Sequence, residues 1–250
     1  MTKIIFCGCY GRMGGAVRQI IKDNPDMEIA AGVDIAEGTA EFPVYKSIAE
    51  VKENADVIID FSSPKALASL LDFATGKNVP VVLCTTGFSE DQLSDIKKAS
   101  EKVAILRSAN MSLGINTLVK LLKTATEILS NNGYDIEIVE RHHNQKKDAP
   151  SGTALLLADA INAAANGKYE YIYDRSARRE VRPENEIGIS AVRGGSIVGD
   201  HEVIFAGLDE VIEIKHRAYS RSVFAKGAVS AAAFLAGKPA GMYDMSNVVG

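Results

Sequence analysis

An α/β fold in two parts, a doubly wound parallel sheet followed by an α+β segment built on a mixed, open sheet, is what this sequence predicts, and three observations predict it. The first 110 residues repeat one unit, a short apolar β-branched run, a turn and a segment of helical periodicity, which is the pattern of strands buried on both faces and covered by helices. A glycine-rich turn, GCYGRMG (8–14), links the first apolar run to the first helical one. After Asn110 the rhythm changes to long helical segments followed by strand-like runs joined through glycines, as expected of a mixed or antiparallel sheet, open on one face and packed on helices on the other.

In order, strands are expected at 3–8 (KIIFCG), 27–34 (MEIAAGVD), 56–62 (DVIIDFS), 79–87 (VPVVLCTTG) and 103–110 (VAILRSAN), with helices at 13–23 (MGGAVRQIIKD), 65–76 (KALASLLDFATG) and 90–101 (EDQLSDIKKASE) between them. A helical segment at 115–130 leads into YDIEIVERHH (134–143), a second helix opens near Ser151, and a polar stretch rich in Arg and Glu covers 174–186. Runs of strand character follow at 187–195, 197–207 and 210–219, then an alanine-rich helix at 222–238 and GMYDMSNVV at 241–249. The change of pattern at 111–114 marks the boundary between the two parts.

Composition narrows the function. With 250 residues, 46% of them hydrophobic and 24% charged, the chain can bury a real core. A formal net charge of -4 gives no basic field for nucleic acid, although a local basic pocket for a small anion is compatible with it. The three cysteines, Cys7, Cys9 and Cys84, are odd in number and lie in or beside apolar runs rather than at ligand or disulfide spacing, which suggests buried thiols in a reducing compartment. The N-terminal apolar run is too short for a signal peptide and no stretch is long enough to span a bilayer, so a cytoplasmic protein with no membrane partner is expected.

The glycine turn carries chemistry. Gly8, Gly11 and Gly14 stand in a G-x-x-G-x-x-G arrangement between a strand and a helix, where a diphosphate can approach backbone N–H groups and meet the helix dipole. About 20 residues on, the second strand ends in Asp34, where an acidic side chain would accept hydrogen bonds from the adenine ribose. A glycine-rich β-α turn without a ligand is the plain alternative; the added acid favours a nicotinamide dinucleotide. Arg12 in the turn would neutralise phosphate or be an ordinary solvated charge, and Ile35 after Asp34 offers no charge to a 2'-phosphate, so NADH with NADPH tolerated is expected. Thr85, Thr86 and Gly87 of CTTGF, and SANMSLGIN (108–116), fall at the C-terminal ends of strands, the ligand-binding rim of open α/β sheets.

The run RHHNQKKDAPSGTA (141–154) holds half of the chain's four histidines, His142 and His143, with Lys146 and Lys147 close behind. Pro150, Ser151, Gly152 and Thr153 have the signals of a helix start, with Ser151 as cap. Free N–H groups, hydroxyls and a lysine make an anion site suited to a carboxylate, and an imidazole beside it can donate a proton to a substrate receiving hydride. The plainer alternative is one packed histidine beside an exposed one. Zinc is disfavoured, since adjacent histidines seldom turn to one metal and no Cys or H-x-x-x-H partner lies nearby; no metal is expected. Asp148 is read as structural.

ERHHNQKKDAPSGTA resembles the E-x-HH-x-x-K-x-DAPSGTA signature of the bacterial 4-hydroxy-tetrahydrodipicolinate reductase (dihydrodipicolinate reductase) family of lysine biosynthesis. The likeness runs through nearly the whole chain: GCYGRMG resembles the family's phosphate turn, CTTGF its G-T-T-G-F loop, SANMSLGIN its A-N-x-S segment, IGISAVRGGSIVGDHEVIF its substrate-domain core and HRAYSRSVFAKGA its return to the nucleotide domain. The resemblance implies His142 as general acid, Lys146 as the second catalytic residue, and His143, Ser151, Gly152 and Thr153 as substrate-carboxylate contacts. It implies NADH or NADPH held by Gly8, Gly11, Arg12, Met13, Gly14 and Asp34, with Thr85, Thr86, Gly87, Ala109, Asn110 and Met111 near the nicotinamide, a Rossmann-like dinucleotide-binding domain of 1–112 with 221–250, a substrate-binding and oligomerisation domain of 113–220, and a homotetramer built through the substrate-domain sheet. Separate domains for cofactor and substrate in turn imply closure during turnover. Cys84 replaces the usual first glycine of G-T-T-G, and Ile35 the basic residue of NADPH-preferring members. A different two-domain dehydrogenase of a small carboxylate and a non-catalytic dinucleotide sensor are the rival readings; the sensor would want a basic surface or helix-turn-helix unit that the sequence does not display.

Overall fold

The computed structural model describes residues 1–250. In chain order its elements are β1 (Thr2–Cys7), α1 (Gly14–Lys22), β2 (Met27–Val33), β3 (Val44–Tyr45), β4 (Val57–Asp60), α2 (Leu67–Lys77), β5 (Val81–Leu83), α3 (Glu90–Ser100), β6 (Ala104–Arg107), α4 (Leu113–Leu129), β7 (Asp135–His142), α5 (Gly152–Ala164), β8 (Glu170–Ile172), β9 (Glu186–Arg193), β10 (Gly199–Ala206), β11 (Val211–Ala218), α6 (Ser222–Leu235), β12 (Gly241–Tyr243) and α7 (Met245–Val249), with short 3-10 turns at Ile48–Glu50 and Pro64–Ala66. They form two compact units, Met1–Leu113 with Ser222–Gly250, and Gly114–Arg221. No helix is long and apolar enough to cross a membrane.

The first unit is a seven-stranded sheet in the order β12-β6-β5-β4-β1-β2-β3, every pair parallel. Because both faces are covered, successive residues of one strand enter different cores. Ile4 and Phe6 join Val57, Ile59, Val82 and Leu106 with Val17 of α1 and Ala228, Ala231 and Ala232 of α6. Ile5 and Cys7 join Ile58, Val81, Leu83 and Ile105 with Leu70 and Leu71 of α2 and Ile96 of α3. This is why the strands read as unbroken apolar runs. The order reverses at β1, whose neighbours are β2 and β4, and such a reversal is where open α/β sheets bind ligands outside the strands' C-terminal ends.

The second unit is a five-stranded sheet in the order β11-β10-β7-β9-β8. β11, β10 and β7 are antiparallel neighbours, and β9 runs parallel to both β7 and β8. One face is packed on α4 and α5 through Leu118, Leu122, Leu157 and Ile161 against Ile136, Ile138, Ile187, Ile189, Val203 and Phe205. The α/β class, the Rossmann-like sheet and the mixed second sheet are those the sequence predicts. The differences are local. β5 stops at Leu83 and β6 at Arg107, so CTTGF and most of SANMSLGIN are loop rather than strand; three further short strands, β3, β8 and β12, have too few residues to show a period.

Stretch 174–186 is ordered by charge rather than by secondary structure. Arg175 forks onto Glu137 (2.9 and 2.8 Å), and Arg178 reaches Glu186 at 2.7 Å. Arg182 bonds Asp135 at 2.7 Å, Glu137 at 3.0 Å and the carbonyls of Ile136 and Glu186.

Candidate active site

In the first unit the polar groups gather at the C-terminal ends of β1, β2, β4 and β5. Gly8 has φ +80°, and a Cβ there would lie 2.5 Å from the Phe61 carbonyl oxygen; one on Gly14 would lie 2.2 Å from that of Cys9. Neither position admits a side chain without moving backbone, so the turn closes tightly while Gly11 and Arg12 are exposed at its tip. Met13, half-buried, precedes α1, and no side chain caps that helix or places an acid in its first turn. An uncapped helix start beneath a glycine turn suits a diphosphate.

Asp34 is tied to this turn: its carboxylate accepts the N–H groups of Tyr10 at 2.8 Å and Ala36 at 2.9 Å. Ile35 is exposed, and Lys46 donates to its carbonyl at 3.0 Å. Across the switch point stands Asp60, a residue the sequence reading passed over. It is buried, which pushes its carboxyl up, while the Ser62 and Thr85 hydroxyls pull the other way; Ser62 donates to it through Oγ at 2.5 Å and N–H at 3.2 Å. The Asp60 carbonyl accepts the Cys84 N–H at 2.9 Å, which ties the end of β4 to the CTTGF loop, where Thr85 is buried and Thr86 and Gly87 are exposed. Burial, then Asp60, pushes the Cys84 thiol well up, so it stays protonated rather than nucleophilic. Beyond β6, Ala109 is exposed and Asn110 accepts the Ser112 N–H at 2.8 Å. Met111 packs its side chain into the core, which leaves backbone as what it can offer a ligand.

In the second unit the register of β7 makes the site. Ile136, Ile138, Glu140 and His142 alternate with less buried neighbours; the first two enter the apolar core, and the last two carry the same face past it. Glu140 is fully buried and accepts two bonds from Arg193 of β9, both 2.7 Å, and the Ser151 N–H at 2.9 Å, while His142 Nδ1 lies 2.6 Å away. Burial would raise the Glu140 carboxyl, but the bonds from Arg193, His142 and Ser151 carry it below its ordinary range. His201 of β10 meets the His142 ring edge-on at 5.1 Å and places Nε2 3.0 Å from Ser151 Oγ. Burial, reinforced by His142, pushes His201 down to about 4, so it is neutral at pH 7.

Ser151 caps α5 as the sequence predicts, its hydroxyl accepting the Ala154 N–H at 3.2 Å. Gly152 is exposed and Thr153 half-buried in the first turn. Lys146 pairs with Asp148 at 2.9 Å, and that ammonium, with the Gly152 N–H, holds the Asp148 carboxyl below its ordinary range. A carboxylate is therefore already favoured at this helix start. Of the two histidines, His142 is the buried, hydrogen-bonded one and His143 is half-exposed. Glu140, Arg193 and His201 complete the cluster and were missed from the sequence, although Glu140 occupies the core-facing phase set by Ile136 and Ile138.

The chain matches two adjoining family models, described as dihydrodipicolinate reductase, N-terminus, over residues 2–111 and dihydrodipicolinate reductase, C-terminus, over residues 114–249. It is 53% identical over 249 residues to the 4-hydroxy-tetrahydrodipicolinate reductase of Caldanaerobacter subterraneus subsp. tengcongensis, covering 100% of this chain and 98% of that one. With the enzyme of the same name from Clostridium tetani it shares 52% identity, over 98% and 96% of the two chains. Among solved structures, a dipicolinate-bound dihydrodipicolinate reductase from Paenisporosarcina sp. TG-14 superposes with a TM-score of 0.83 at 24% identity, covering 99% of each chain. A glycine turn at the switch point, the signature at the end of β7 and these full-length matches lead to one conclusion: the chain belongs to the dihydrodipicolinate reductase family.

Proposed function

We propose that this chain reduces (2S,4S)-4-hydroxy-2,3,4,5-tetrahydrodipicolinate to tetrahydrodipicolinate with loss of water, in the diaminopimelate route to lysine. A nicotinamide dinucleotide supplies the hydride; the glycine turn (Gly8, Gly11, Arg12, Met13, Gly14), Asp34 and the loops bearing Thr85, Thr86, Gly87, Ala109, Asn110 and Met111 would hold it. NADH is the preferred form, with NADPH accepted, because Asp34 stands where a 2'-phosphate would be repelled and Ile35 supplies no counter-charge. His142 gives the proton that the reduced ring takes up. Lys146, His143 and the start of α5 at Ser151, Gly152 and Thr153 hold the substrate's two carboxylates, a substrate carboxylate taking from Asp148 the ammonium it now pairs with.

The observation that carries this reading is the gathering of His142, the Ser151 N–H and Arg193 on one buried carboxylate beside a Lys146 already bound to another. Replacing His142 by Gln and Lys146 by Ala should each lower kcat by orders of magnitude while the affinity for reduced dinucleotide, followed by its fluorescence, is unchanged. Wild-type turnover in either variant would remove these roles. The assembly is a homotetramer built through the face of the second sheet turned away from α4 and α5, which exposes Val192 and Val211; light scattering on the eluting protein tests it, and a monomeric mass would contradict it.

A further inference from the structure

We propose that Glu140 is the positioning residue of this site: its carboxylate holds His142 as the Nδ1–H tautomer and ties the start of α5 to the same point through the Ser151 N–H. The kinetic consequence rests on the reading of His142 as proton donor; the tautomer rests on geometry alone. Glu140 is 0% exposed and has four polar neighbours: His142 Nδ1 at 2.6 Å and Arg193 Nη1 at 2.7 Å on Oε2, Ser151 N at 2.9 Å and Arg193 Nη2 at 2.7 Å on Oε1. The guanidinium and the backbone amide can only donate, and an ionised carboxylate can only accept. The fourth neighbour must then donate as well, which puts the ring hydrogen on Nδ1 and leaves Nε2 as the nitrogen that gains and loses a proton. Gly199 keeps that nitrogen clear, since a Cβ there would stand 3.0 Å from Nε2.

The test is Glu140→Gln, nearly isosteric but with one acceptor oxygen for three donor groups. In protein labelled with 15N-histidine, long-range 1H–15N spectra at about pH 9, where imidazoles are neutral, resolve the tautomers of the four histidines; His142 is identified by its loss in His142→Gln. The wild type should show the Nδ1–H pattern. The glutamine variant should lose it and drop kcat about 100-fold with a smaller change in KM. An Nε2–H pattern in the wild type overturns the proposal, as does a glutamine variant with the wild-type tautomer and kcat. Should the variant fail to fold, the wild-type spectrum still decides. A wild type that oxidises no dinucleotide with the substrate would defeat the functional reading, while the tautomer would still judge the role of Glu140.

Discussion

Acidification should unfold this protein partly through His201. Its ordinary value is 6.5 and burial, with His142, lowers it to about 4 in the folded state. The sign follows from where the proton goes. Between these values the unfolded chain takes up a proton that the folded chain refuses, so stability is present in full above about pH 6.5 and is lost as the pH falls toward 4. A gap of about 2.5 units at about 1.4 kcal/mol per unit gives ~3 kcal/mol in all, of which ~2 kcal/mol is lost between pH 7 and pH 5. The comparison is wild type against His201→Gln, which keeps a polar group toward Ser151 and removes the titration. His216 is also lowered by burial, and it is present in both proteins, so it cancels; Glu140, held below its ordinary carboxylate value, acts only at lower pH. Urea unfolding can be followed by tyrosine fluorescence, since the chain has eight tyrosines and no tryptophan. The wild type should lose ~2 kcal/mol more than the variant between pH 7 and pH 5. Parallel losses in the two proteins would refute the assignment.

Gly14→Ala puts a methyl group 2.2 Å from the Cys9 carbonyl oxygen; about 1–3 kcal/mol of overpacking should appear as a lower melting temperature, together with weaker dinucleotide binding by fluorescence titration. Asp34→Ala removes the acceptor tied to Tyr10 and Ala36, and kcat/KM for NADH relative to NADPH should fall about tenfold or more, the worth of one charged hydrogen bond; an unchanged ratio would take Asp34 out of cofactor selection. Arg182→Ala removes the hydrogen bonds to two carboxylates and three carbonyls, and hydrogen exchange across 174–186 should quicken with a loss of about 1–2 kcal/mol, discounted for partial exposure.

What could be read from the sequence follows the range of the forces involved. β1, β2 and β4 announce themselves because strands buried on both faces must be apolar at every position, as IIF, IAAGV and VII are. Ser151 was legible as a cap because capping is settled within three residues. β3, of two residues, is held by its pairing to β2, a contact no local window contains. In the site, His142, Lys146 and Ser151 sit within ten residues of chain, whereas Arg193 and His201 reach Glu140 and Ser151 from 53 and 50 residues away. Glu140 lay between these cases: the alternation of Ile136 and Ile138 points it inward, but a buried charge declares a purpose only when its partners are known.

The most direct measurement generates the unstable substrate in place with dihydrodipicolinate synthase, pyruvate and aspartate semialdehyde, adds this protein, and follows the absorbance of reduced nicotinamide. The account predicts oxidation of NADH that requires both the synthase and its two substrates, faster than with NADPH at equal concentration. Absorbance that stays flat with both cofactors, from protein that binds the dinucleotide, would contradict it.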